Sequence, residues 1–136
     1  MGFNVASGKT SVTGTVTSTS LKSVVVPIAG SQYNTTGTVT LGTVGAGKVW
    51  RIVGAALQVA FMTTNDTTVR IQANAQDICL IRGAQSSATT QQTVSTTFTG
   101  SYADAVPIAA TQTVTLISGG GNVASAAVVF YIEETA

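Results

Sequence analysis

Histidine is absent from this sequence, cysteine occurs once, proline twice, and only 8% of the 136 residues are charged. Each scarcity excludes something. Without histidine the chain lacks the side chain most often used as a general base near neutral pH, and the commonest metal ligand. A nucleophile–histidine triad is excluded for the same reason, and no G-x-S-x-G elbow occurs among the many serines. Cys79 is alone, so no internal disulfide can form. Its setting, Asp77-Ile78-Cys79-Leu80-Ile81, reads as that of a small buried hydrophobe.

Charge is scarcest of all. Ordinary soluble domains carry roughly 25% charged residues. Here Lys9, Lys22, Lys48, Arg51, Arg70 and Arg82 are scattered along the chain, so the basic cluster that neutralises phosphates is missing and no nucleic-acid partner is expected. No apolar run approaches the roughly 18 residues of a membrane-crossing helix, so no membrane span is expected. Met1-Gly2-Phe3-Asn4-Val5-Ala6-Ser7 has no basic stretch followed by an apolar core, which argues against a signal peptide. Ala6 stands where myristoylation wants Ser or Thr, and the chain reads as starting at its own start codon.

What is present is Thr, Ser, Gly, Gln and a 44% share of hydrophobic residues, enough for one domain with a real core. A surface of Thr, Ser and Gln is wettable. It can also be covered by a neighbour with little cost in ionic desolvation, which suits a subunit of an assembly.

Strand signals dominate, with Val, Ile, Thr, Phe and Tyr recurring in short runs between Gly, Asn, Asp and Ser clusters. Residues 36–41, 49–62, 67–73, 78–82, 91–98, 113–117 and 126–132 read as strands, with a turn at 74–77 joining a hairpin. In the long 49–62 segment Gly54-Ala55-Ala56 allows a short helix. Trp50, Ile52 and the β-branched neighbours instead favour a strand with a kink or bulge. Eight to ten strands at this spacing predict an all-β, jelly-roll-like antiparallel β-sandwich.

The first 35 residues read differently. Thr10 to Thr19 alternates, but Val12 and Val16 are its only large apolar residues and Gly14 weakens its middle. Leu21 to Ile28 follows, with Val24-Val25-Val26 ahead of Pro27, which has no N–H to donate and so marks a strand end or a sheet edge. The expectation is an extended N-terminal arm with edge strands over residues 1–35 and a sandwich over 36–136. Val12, Val16, Leu21, Val24 and Val26 are the candidate assembly residues.

Motifs for chemistry are imitated but not completed. Gly42-Thr43-Val44-Gly45-Ala46-Gly47-Lys48 has the spacing of a phosphate-binding loop. Val49 replaces its Ser or Thr, though, and strand-like residues follow where a helix is required. Asp66, Asp77 and Asp104 fall in expected turns, and Glu133 and Glu134 are adjacent, so no acid–base pair is apparent and no calcium-loop spacing occurs. No catalytic residue, cofactor or metal site is expected.

The stretch Leu41-Gly42-Thr43-Val44-Gly45-Ala46-Gly47-Lys48-Val49-Trp50-Arg51-Ile52 resembles a segment leading into the first long strand of small phage and virus jelly-roll structural proteins. Pro107-Ile108, Thr113 to Leu116, a glycine-rich turn and Val128 to Glu134 are similar to the last two strands of the same domains. The resemblance implies a capsid decoration (cement) or appendage protein: a trimer seated on a major capsid protein, at the virion surface, with an arm reaching a neighbour. Two other readings stay open. One is an extracellular filament or surface-layer subunit joined by N-terminal strand donation. The other is a carbohydrate-binding module in which Trp50 or Tyr102 stacks on a sugar ring.

Overall fold

Thr67, Val69, Ile71 and Ala73, at every second position, can all be buried on one side only if the segment is extended. The computed structural model shows that arrangement, and it describes residues 21–27, 37–62, 64–85, 92–101, 103, 105–119 and 123–136. Nine strands are described: β1 (Leu21–Pro27), β2 (Gly37–Thr43), β3 (Lys48–Phe61), β4 (Thr67–Ala73), β5 (Gln76–Gly83), β6 (Gln92–Thr99), β7 (Val106–Ile108), β8 (Thr113–Ser118) and β9 (Val123–Thr135). Among the described residues there is no α-helix, and all strand pairs are antiparallel.

The topology follows from one long hairpin rolled on itself. Its tip is the two-residue loop Asn74-Ala75, where both residues take positive φ, 49° and 66°. This is the twist that a tight hairpin needs. From that tip outward, β4 pairs with β5, β3 with β6, β2 with β8, and β1 with β9. Rolling brings β3 against β9 and β4 against β8, giving two sheets ordered β1-β9-β3-β6 and β2-β8-β4-β5, with β7 added beside β3. That strand order is the jelly roll, two interlocked Greek keys in a double-sheet sandwich.

The long β3 carries a bulge, as its Gly54 suggests. Pairing runs from Ile52 opposite Tyr131 to Gly54 opposite Phe130, leaving Val53 as the extra residue. The bulge shifts the inward parity. Trp50 and Ile52 face the core before it, and Ala55, Leu57, Val59 and Phe61 after it. A helix at Gly54-Ala55-Ala56 is thereby replaced by continuous strand. The core between the sheets is filled by Phe61, Ile52, Leu57, Ile71, Ile108 and Leu116, each under 2% exposed. Cys79 is buried among them, and burial pushes its thiol pKa up, so it is a packed hydrophobe and not a thiolate.

β1 falls inside the segment expected as an arm with edge strands. It forms the edge of the larger sheet, paired along its length with β9. Residues 1–20, including Val12 and Val16, lie outside the described residues.

Candidate assembly surface

Gly47 takes a φ of 71° in the turn before β3, and Lys48 N–H donates to the Gly45 carbonyl at 3.2 Å. The glycine-rich loop therefore closes a strand-to-strand turn. It has no helix N-terminus to hold a phosphate.

Every described carboxylate is held by a cation. Asp66 accepts from Arg82 at 2.6 Å, Asp77 from Gln72 at 2.8 Å with Arg70 at 3.5 Å, and Glu134 from Arg51 at 2.7 Å. Glu133 accepts from Lys22 at 2.8 Å and from the Trp50 indole at 3.0 Å. Asp104 lies outside the described residues. Among the described residues no cluster of Asp, Glu or Cys could hold a metal.

Trp50 is 6% exposed and stacks on Tyr131, with ring centroids 3.9 Å apart and an interplanar angle of 19°. Its N–H is engaged and its ring is covered, so it offers no sugar-stacking face. It packs as a core residue at one end of the sandwich. Tyr102 lies outside the described residues.

The Glu133 cluster joins three strands of one sheet: Lys22 on β1, Glu133 on β9 and Trp50 on β3. Hydrogen bonds from Lys22 and then Trp50 hold the Glu133 carboxyl below its ordinary pKa. A depressed carboxylate stabilises the fold at pH above its unfolded value, about 4.3, and that contribution is lost as pH falls through the lower folded value. The protection of β1 amides, measured against their intrinsic exchange rate at each pH, is therefore expected to fall on acidification below about pH 4.3. Glu133→Gln should flatten that dependence, and an unchanged acid response in this variant would place the titrating group elsewhere.

The outer face of the larger sheet is built differently from the outer face of the smaller one. Register sets three rows across β6, β3 and β9: Thr97–Ala56–Val128, Ser95–Gln58–Ala126 and Thr93–Ala60–Ala124. None carries a charge. These side chains are small, and the surface between them sinks into shallow depressions, none of which is lined by a titratable group. Phe130, 39% exposed, bounds one end of the area beside Gly54, where a Cβ would sit 3.5 Å from its ring. The ion pairs lie at the Glu133–Glu134 end of this sheet or on β4 and β5, and Asp66 before them, in the other.

Of the sequence-expected assembly residues, the structure brings three into one strand. Leu21, Val24 and Val26 stand on β1 opposite Ile132, Val129 and Ala127 of β9. The charge-free rows on β3, β6 and β9 were not singled out from sequence. Their signal was present in the small alternate residues of Ala56 to Ala60 and Thr93 to Thr97, but which side of each strand faces outward depends on the bulge at Val53.

The class of protein defined by this strand order is the jelly-roll β-sandwich, a fold used by viral capsid, lectin and cupin domains alike. No known family matches the sequence, and no curated protein matches it either. Among solved structures the chain is similar to one from the virus-like particle of the giant freshwater prawn Macrobrachium rosenbergii extra small virus. The two are 13% identical with a TM-score of 0.41, over 98% of this chain and 93% of that one.

Proposed function

We propose that this protein is a structural virion subunit, a capsid decoration (cement) or minor capsid protein that assembles as a trimer and stabilises the shell. On this reading it sits at the capsid surface against a major capsid protein, and it is not an enzyme. The observation that carries the reading is the charge-free outer face of β3, β6 and β9, in a chain whose described carboxylates are already paired. Covering that face strips water from no ion, so association loses nothing to charge desolvation. In this reading the segment through residue 20, with Val12 and Val16, and β1 with Leu21, Val24 and Val26 reach a neighbour or the shell, adding to a trimer that the sandwich itself holds together.

Analytical ultracentrifugation of the full chain, with electron microscopy of its assemblies, tests the proposal. The expected result is trimers or larger closed particles, and fixed stoichiometry with purified particles. A monomer that persists to millimolar protein overturns it. Deleting residues 1–20 separates the trimer from a strand-donating filament: trimers persist after the deletion, whereas a filament of that kind disassembles.

A further inference from the structure

A sheet edge exposes unpaired backbone N–H and C=O groups, and stable proteins blunt such edges with charge, proline, bulges or short length. The edge strands of this sandwich differ in these devices. β1 carries Lys22 and ends at Pro27. β5 carries Asp77 and Arg82. β2 is broken in register between Thr40 and Gly42. The short β7, on the same side of β3 as β6, contains Pro107. β6 has none of these devices. Its sequence, Gln92-Thr93-Val94-Ser95-Thr96-Thr97-Phe98-Thr99, is uncharged, free of proline and glycine, and regular in register with β3 over all eight residues. Among the described residues no strand pairs with its outer side.

We propose that β6 is a strand-addition edge that takes β6 of a second copy, antiparallel about a two-fold axis, joining two larger sheets into one. This goes beyond the trimer proposed above and rests on that assembly reading: a two-fold contact cannot lie within a three-fold ring, so it joins subunits of neighbouring trimers. The occupant follows from charge and register. In a two-fold antiparallel edge each strand meets itself, so any charge near the axis meets its own kind. β6, lacking charge, can take any in-phase register without covering an ion, whereas β1 would cover Lys22 and β5 would cover Asp77 and Arg82.

Register is constrained further by the pleat. Residues of one face must oppose residues of the same face, so a one-residue slip is forbidden. The registers centred on Thr96 and on Ser95 give the longest permitted overlaps. Centring on Thr96 sets Val94 opposite Phe98 of the other copy, and both are partly buried against the core. That is an aromatic–β-branched pair, formed twice. Centring on Ser95 sets Gln92 opposite Phe98 instead and loses it. On the outer face the Thr96-centred register places Ser95 opposite Thr97, and both are exposed, so substitutions there leave the core untouched. The charge-free rows of the two copies then become one continuous surface across the axis.

The test uses the full chain with two double variants at those exposed positions. S95K/T97K places lysine opposite lysine in both copies, and is expected to raise the concentration for two-fold association at least about tenfold. S95K/T97E places lysine opposite glutamate, and is expected to associate within a few-fold of the parent. Hydrogen exchange of β6 amides at rising protein concentration supplies a second readout: protection should grow in the parent and in S95K/T97E, but not in S95K/T97K. Equal association of all three proteins overturns the proposal while leaving the assembly reading standing. So does protection of β6 that disappears on deleting residues 1–20, since the occupant is then that segment. A parent that never associates overturns both.

Discussion

Truncating Phe61 to alanine is expected to destabilise the sandwich by about 3–5 kcal/mol, seen as a lower urea midpoint at an unchanged slope. Phe61 is fully buried at the end of β3, and its ring reaches across to the opposite sheet. A Cβ built on Gly83 of β5 would lie 2.9 Å from its Cε2 atom. The ring thus occupies the space that a side chain at position 83 would need, and its loss opens a cavity between two rigid layers. Gly83→Ala should cost about 1–3 kcal/mol by overpacking. Combining Gly83→Ala with Phe61→Leu should cost less than the sum of the two single changes, because the smaller side chain yields room. Strict additivity in that cycle would show that the two positions do not compete for the same volume.

Trp50→Ala is expected to cost a similar amount, about 3–5 kcal/mol, and for more than one reason. It removes the stack on Tyr131 and leaves the Glu133 carboxylate with one donor fewer. Trp50→Phe separates the two contributions, since an aromatic ring remains while the indole N–H goes. Its cost should be well below that of Trp50→Ala, because only the hydrogen bond to a carboxylate that Lys22 still holds is lost. Trp50 is the only tryptophan, so intrinsic fluorescence reports this end of the sandwich in the parent protein. Far-UV circular dichroism must follow unfolding of the variants. A Trp50→Phe variant as unstable as Trp50→Ala would mean that the indole–carboxylate bond dominates the site.

The strands were legible because most of their faces alternate. Thr67 to Ala73 announces itself, and the structure adopts those boundaries. Gly54 announced a distortion, and the register break beside it is that distortion. The Asn74-Ala75 turn was less sharply marked, because Ala75 occupies a left-handed position that glycine usually fills. β7 was hidden for a different reason. Val106-Pro107-Ile108 is too short to show a period, and only Ile108, 1% exposed, ties it firmly to the core.

The candidate surface was less legible than the fold. The scarcity of charge pointed to an assembly, and Pro27 pointed to β1 as an edge. Nothing local to the sequence says that Lys22 meets Glu133, that Arg82 meets Asp66, or that β6 is left uncovered. Those facts depend on which strands become neighbours when the long hairpin rolls. For the same reason Trp50 could be read as a sugar platform until its position beside Tyr131 was fixed.

The position of β9 has a consequence for how the protein is made. It is the last of the described strands in chain order, yet it lies inside the larger sheet, between β1 and β3. Leu21 waits for Ile132, and Phe61 for Val123, before either strand finds its partner on that side. As the chain leaves the ribosome, its first half therefore emerges with two strands that cannot yet be joined. Such distant pairings are slow to form, and unpaired strands are prone to meet other nascent chains. A product terminated before residue 123 lacks the middle of its sheet, so premature release yields an open, adhesive fragment and never a smaller working subunit.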